Sequence, residues 1–324
     1  MASQVKNGKA FEYALAKVYY DTINKCGISV AIIDDEAYNT AKGYFEEFDN
    51  IVQERYLAAA KATVDTMLKI EPGLTAQKDD NDLLSIRLAK DAEGQAGDVR
   101  DIIFSRQKPH WEIGFSAKNN NDSQKHSRLS NSNDFGKKWF GIECSDDYWK
   151  EIKPIFAFIN EYKEAGKSWA MMGTEKETKV YIPLLNAFRK ELLKINNEHD
   201  GIPQKLISYL IGIYPFYQVI KEDSKNLVVV KAFNIGGGLN KTVNHTKSRY
   251  IVSQVEPPTR IVELEFANKP ANQMKDTLNM ILDGGWEISF RIHSADDPIV
   301  PSLKFDVKLL GNPPILFSQY LFQD

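Results

Sequence analysis

Hydrophobic residues recur at two different periods in the first third of the chain. Over residues 9–25, Phe11, Leu15, Val18 and Ile23 share one stripe, which predicts an amphipathic helix. Three- and four-residue spacing also runs through "AYNTAKGYFEEFDNIVQERYLAAAKATVDTMLKI", predicting a second helix near 35–70 that ends at Pro72-Gly73. The period then shortens. "LLSIRLAK" at 83–90, "VRDIIFSR" at 99–106 and "WEIGFSAK" at 111–118 have the composition of strands. Gln107-Lys108-Pro109-His110 is a turn that folds the last two into an antiparallel hairpin.

Residues 119–138, "NNNDSQKHSRLSNSNDFGKK", hold no apolar rhythm and are expected to form a solvated loop. Helices are expected at 146–165 and 183–196, a further helix at "LISYLIGIYPFYQVIK", and a buried strand at "NLVVVKAF". The tail has β character in "TRIVELEFA", "WEISFRIH" and "LKFDVKLL", with Asp283-Gly284-Gly285 as a hairpin turn. This order predicts an α/β fold with a mixed β-sheet flanked by helices and a β-rich C-terminal portion. The expected division is a catalytic region over 1–200 and a recognition region over 201–324, packed into one globular unit.

Composition narrows the class. The chain has 324 residues, 43% of them hydrophobic, enough for a sizeable core, and its net charge is only −3. Any nucleic-acid surface must therefore come from local asymmetry. Cys26 and Cys144 are too few for a disulfide scaffold or a zinc cluster. "MASQVKNGKAFEY" lacks the apolar core of a signal peptide, and no stretch approaches the roughly 18 apolar residues of a membrane span. No membrane association is expected, and the cytoplasm is the expected compartment.

The candidate chemistry lies on the hairpin. With the turn centred near Lys108, residues whose numbers sum to about 216 face each other, so Asp98 lies opposite Lys118 and Arg100 opposite Ser116. Alternation then groups Asp98, Ser116 and Lys118 on one face and sends Asp101 to the other, in a structural role. A metal-binding aspartate beside a lysine that orients water and offsets developing charge suits phosphodiester hydrolysis. A cross-strand salt bridge would place the same two residues together.

An aspartate at one strand and an acidic-x-Lys at the end of the next form the pattern of the PD-(D/E)XK nucleases. Here the second half reads Ser116-Ala117-Lys118, with serine at the acidic position. "EGQAGDVRDIIF", "WEIGFSAKNN", "KHSRLSNSNDFGKKWFG" and "YWKEIKPIF" resemble the HaeIII family of type II restriction endonucleases, most densely over about 94–156. A weaker echo lies in "GKAFEYAL" near the N-terminus. The resemblance implies a PD-(D/E)XK core and a Mg²⁺-dependent endonuclease that cuts a short palindrome in double-stranded DNA, leaving 5′-phosphates. The enzyme for which the family is named reads GGCC. Asp98 matches the first aspartate and Lys118 the lysine, with Asp98, Glu12 and Ala117 as the metal-binding positions. A homodimer and a cognate DNA methyltransferase of the same system, without a physical complex, are further expectations.

Ser116 leaves one carboxylate to be found. Glu112 shares its face, but four strand residues separate the two by roughly 13 Å, a gap that only a bulge at Gly114 would shorten. Glu12 is the better candidate because many relatives bring a glutamate from the first helix. Asp122 and Asp134 stand in reserve. DNA contacts are expected from two basic segments. Residues 117–141 carry five Lys or Arg against two aspartates, and from them Asn119, Asn120, Lys125, His126 and Arg128 are chosen. Residues 231–255 carry three lysines, one arginine and no acidic residue, and from them Asn240, Lys241, Asn244, Lys247 and Arg249 are chosen as groove contacts. Two other functions stay open: a non-cleaving DNA-binding or structure-sensing protein on a nuclease-like fold, which Ser116 favours, and a low-specificity repair nuclease.

Overall fold

The computed structural model describes residues 2–79, 81–90, 93, 97–107, 110–120, 123–294 and 299–322; for 2–3 and 123–126 it describes the backbone alone. Two compact units emerge, each discontinuous in sequence. Unit 1 comprises 1–122, 212–256 and 315–324, and unit 2 comprises 123–211 and 257–314. The boundary expected at 200/201 thus falls inside unit 2.

Unit 1 is built on a seven-stranded mixed sheet. Its strands are β1 (Val30–Ile32), β2 (Leu84–Leu88), β3 (Ile102–Gln107), β4 (His110–Asn119), β6 (Phe216–Glu222), β7 (Leu227–Phe233) and β12 (Ser318–Phe322), hydrogen-bonded in that order. Only β1/β2 and β4/β6 are parallel pairs. The helix expected over 9–25 is α1 (Ala2–Lys25). The one expected near 35–70 is two helices, α2 (Glu36–Glu46) and α3 (Asn50–Ile70). Asp49 causes the break, accepting from the Val52 amide as an N-cap that starts a new helix. Tyr19 of α1 packs on Phe104 of β3 and Phe115 of β4, with ring centroids 5.1 and 5.3 Å away. That contact seats α1 over the hairpin.

Unit 2 holds a five-stranded antiparallel sheet in the order β5 (Ser123–Ser130), β11 (Ser302–Gly311), β10 (Glu287–His293), β9 (Thr277–Leu282), β8 (Ile261–Phe266). Its helices are α4 (Phe135–Phe140), α5 (Asp146–Glu164), α6 (Ile182–Glu198) and α7 (Ile202–Ile211). Phe135 and Trp139 of α4 and Phe188 of α6 form an aromatic cluster that meets Phe290 and Phe305 of the sheet. The expected turn at 283–285 joins β9 to β10, with Ile281 paired to Glu287.

Two further expectations are corrected. The segment 119–138 is not a loop throughout, because β5 pairs antiparallel with β11. Its alternation is hidden: buried Ser127 and Leu129 flank half-buried Arg128, and a serine carries no hydrophobic signal. Residues 206–221 are not one helix. The chain leaves α7 at Gly212, whose φ of 82° is a left-handed conformation that ends the helix, and enters β6 after Pro215. No helix among the described residues is long and apolar enough to cross a membrane.

Candidate active site

The hairpin exists, but its register differs by one residue from the expected one. Gln107 pairs with His110 and Ile102 with Phe115, so facing residues sum to 217 rather than 216. A one-residue slip turns every side chain to the other face. Asp101, not Asp98, therefore lies at Ser116. The Asp101 amide donates to the Phe115 carbonyl at 2.7 Å, extending the ladder beyond β3. Its carboxylate Oδ2 accepts from the Ala117 amide at 2.7 Å and from Ser116 Oγ at 3.1 Å. The serine that occupies the acidic position thus orients the aspartate that remains.

Glu12 reaches the same place from α1. Its side chain is buried, and Oε2 accepts from Lys9 Nζ, one helical turn earlier, at 3.1 Å. Burial, followed by the negative charge of Asp101, raises the Glu12 pKa to about 7. Lys9 and Lys118 oppose both effects. Glu12 therefore lies within electrostatic reach of Asp101, Lys9 and Lys118. Lys118 is half-buried near the end of β4, beside Ile220 of β6, and makes no short ion pair among the described residues.

Asp98 and Glu112 serve Arg100 instead. Arg100 donates to Asp98 through its backbone amide, Nε and Nη2 at 3.1, 2.8 and 2.7 Å, and through Nη1 to Glu112 Oε1 at 2.8 Å. The guanidinium also lies over the Tyr214 ring, 4.3 Å from its centroid. The expected Asp98–Lys118 facing pair is thereby overturned. So is the bulge that would have delivered Glu112, since the β3/β4 register runs unbroken. Gly114 has a different use: a Cβ there would come within 2.1 Å of Arg100 Cδ, so glycine leaves the room in which Arg100 crosses the strand.

The expected DNA contacts divide. Asn119 Oδ1 accepts from Lys221 Nζ at 3.4 Å, and Asn120, at φ 54°, exchanges hydrogen bonds with Asp223. Both are occupied by the end of β6 and the turn that follows it. Asn240 donates to the Ile70 carbonyl, and Asn244 Nδ2 donates to the Ala76 carbonyl at 2.6 Å and to Asp82 Oδ2 at 3.3 Å. Asn240 holds the loop to the end of α3 and Asn244 to the segment that follows it, so neither points its amide at solvent. Lys241, Lys247 and Arg249 are exposed on the same loop. Arg128 is half-buried on β5, with Nη1 at 3.4 Å from both the carbonyl and Oγ of Ser302. The side chains of Lys125 and His126, and all of Asp122, lie outside the described residues. Asp134 caps α4, accepting from the Lys137 amide at 2.8 Å. Among the described residues no group of three or more His, Cys, Asp or Glu is placed to hold a metal. The carboxylates of the site number two.

Sequence reasoning missed Asp101 and Lys9. The signal for Asp101 was the turn length, because a hairpin joined by two residues pairs an odd number with an even one and makes every facing sum odd. For Lys9 it was the three-residue spacing to Glu12 on a helix.

Comparisons with known proteins agree on one group. The family model described as HaeIII restriction endonuclease matches residues 8–313. The type II restriction enzyme HaeIII of Haemophilus aegyptius is 35% identical over 314 residues, 95% of this chain and 94% of its own length. No solved structure matches the chain.

Proposed function

Because the chain belongs to the HaeIII restriction endonuclease family and is a type II site-specific deoxyribonuclease, we propose that Asp101, Glu12 and Lys118 form its catalytic centre. On this reading unit 1 carries a PD-(D/E)XK site in which Asp101 is the first aspartate and Glu12 supplies the carboxylate absent at Ser116. The substrate is a short palindrome in double-stranded DNA, GGCC by kinship with the family's namesake. The observation that carries the reading is the convergence of Asp101, Glu12 and Lys118.

The residues suit a hard divalent cation, and Mg²⁺ is the one we propose. Two carboxylates set against each other, one held near neutrality by burial and repulsion, gain from a positive charge between them. Magnesium takes about one or two protein carboxylates and fills its remaining positions with phosphate oxygens and water. Asp101, Glu12 and the Ala117 carbonyl would hold it. The chemistry it supplies when bound is polarisation of the scissile phosphate and acidification of a water.

The protein's own groups do the rest. Ser116 Oγ and the Ala117 amide hold Asp101 in one orientation. The Lys118 ammonium orients the attacking water and offsets negative charge growing on the phosphate. Water adds to phosphorus, the bond to the 3′ oxygen breaks, and a 3′-hydroxyl and a 5′-phosphate remain. Lys241, Lys247 and Arg249, with Arg128, contact DNA. A two-fold dimer matches a palindrome, and a methyltransferase of the same system protects the host's sites in the cytoplasm. Digestion of plasmid DNA with Mg²⁺ tests the proposal. Discrete fragments that map to GGCC are expected, abolished by Lys118→Ala. A smear would favour a low-specificity nuclease, and intact plasmid a non-cleaving DNA-binding protein.

A further inference from the structure

The loop between β7 and β8 places its charges and its anchors on different residues. Its exposed positions include Lys241, His245, Lys247 and Arg249, and Ile251 is 83% exposed. Leu239, Val243, Val252 and Val255 are buried beneath them. A long loop with so few buried side chains would ordinarily sample many conformations. This one is tied at four places. Buried Asn234 closes its base, accepting from the Leu239 amide at 2.8 Å and donating to the Val252 carbonyl at 2.9 Å. Asn240 and Asn244, at φ 59° and 45°, donate to the carbonyls of Ile70 and Ala76, and Ser248 Oγ donates to the Lys69 carbonyl at 3.0 Å.

Two buried carboxylates underlie those ties. Glu71, fully buried at the end of α3, accepts through Oε2 from the Asn240 amide at 2.8 Å and from Tyr217 Oη of β6 at 2.6 Å. Asp82 is ion-paired with fully buried Arg106 at 3.2 Å and accepts from Asn244. An ionisable group is costly to bury unless its partners are in place. Here a partner of Glu71 is the backbone of a segment, residues 234–255, that carries no acidic side chain.

We propose that Glu71 is a positioning residue for DNA binding: with Tyr217 and Asn240 it holds the 239–250 loop in the one conformation that presents Lys241, Lys247 and Arg249 as an ordered array to the duplex. The inference rests on the reading that this loop contacts DNA. Ordering the loop backbone before DNA arrives removes the entropy of immobilising that backbone at the moment of binding. Glu71 touches neither DNA nor the reacting atoms, so its loss acts on substrate affinity and leaves the chemical step to Lys118 and the carboxylates.

The experiment uses the full-length protein, Mg²⁺ and a cognate duplex oligonucleotide. Glu71→Ala removes the acceptor, Glu71→Gln keeps one oxygen for Tyr217 and Asn240, and Asn240→Gly with Asn244→Gly keeps the left-handed backbone while deleting the side-chain ties. Glu71→Ala and the double glycine variant are expected to raise KM about tenfold with kcat within about twofold, and Glu71→Gln to recover most of the loss. Trypsin should cut the variants after Lys241, Lys247 or Arg249 several times faster than wild type. A second arm separates this idea from the reading beneath it. In Lys241→Ala/Lys247→Ala/Arg249→Ala, which has no array to present, adding Glu71→Ala should raise KM no further. An additional rise there, or an effect on kcat alone, overturns the positioning role. A triple variant with unchanged KM removes the loop from DNA contact, and the proposal with it. If Glu71→Ala does not fold, the glycine variant decides: unchanged KM together with faster trypsin cleavage would overturn the proposal.

Discussion

Asp98 and Asp101 sit three residues apart in environments that assign them opposite work. Asp98 is enclosed with Arg100, their side chains 10% and 6% exposed, and it accepts three of that arginine's hydrogen bonds. The Asp101 carboxylate receives two neutral donors on Oδ2, and no other hydrogen bond reaches that carboxylate among the described residues. Removing one partner of a buried pair strands the other, at a cost on the order of 3 kcal/mol. Asp98→Ala should therefore lower the urea midpoint markedly while the folded fraction still cleaves near the wild-type rate. Asp101→Asn should behave the other way, with an ordinary urea midpoint and cleavage reduced about a hundredfold or more. Glu12→Gln is expected to join Asp101→Asn, losing at least about tenfold in rate. If Asp98→Ala were the inactive, stable variant, the catalytic aspartate would have to be reassigned to it.

The hairpin shows which features a sequence can reveal and which it cannot. Strand type, the antiparallel pairing and the residue lysine at 118 were all legible, because alternation and turn chemistry are local. The register was not, since it turns on whether one more residue enters the turn, and a slip of one exchanges Asp98 for Asp101. Gly114 carries the consequence at the level of the element. Its missing side chain leaves the path along which Arg100 reaches Asp98 and Glu112. Gly114→Ala should displace that arginine and cost on the order of 3 kcal/mol of stability, read by thermal or urea unfolding. Arg100→Ala in the same background should then add little. At the end of α3, Glu71 offers a pH signature of its element. Burial raises its pKa from 4.5 to about 7, against hydrogen bonds from Tyr217 and Asn240 that lower it. The folded protein thus keeps a proton that the unfolded chain releases, so stability falls as pH rises through the window from 4.5 to about 7. At ~1.4 kcal/mol per pH unit this amounts to roughly 3 kcal/mol across the window. Glu71→Gln should flatten that part of the stability-versus-pH curve, measured by urea unfolding at a series of pH values. A wild-type curve and a variant curve running parallel there would show that Glu71 does not titrate on folding.

A chain with net charge −3 that acts on DNA must concentrate its attraction locally, and residues 231–255, with four cations and no acidic side chain, are the segment proposed to do so. Arg128 of unit 2 is a different kind of candidate, since its guanidinium already neighbours Ser302 and is only half-exposed. The two classes of contact separate by salt and by sequence. A phosphate contact contributes about 0.9 to the slope of log K against log salt and is indifferent to base sequence. A bidentate base contact is worth about 1–3 kcal/mol on the cognate site and little elsewhere. The loop is held by its asparagines through their side chains, while Lys241, Lys247 and Arg249 are exposed on it. Lysine makes a point contact, whereas arginine's planar fork matches the O6 and N7 acceptors of guanine in a GC-rich site. Binding of cognate and random duplexes in Ca²⁺, in place of Mg²⁺ to separate binding from cleavage, tests the assignment. Lys247→Ala should weaken both duplexes equally and reduce the salt slope by about 0.9 for each contact in the complex. Arg249→Ala should weaken the cognate duplex by about 1–3 kcal/mol, spare the random one and leave the slope nearly unchanged. Equal loss on both duplexes would make Arg249 a phosphate contact as well. The reading of guanine would then have to come from unit 2, with Arg128→Ala as the variant that loses discrimination.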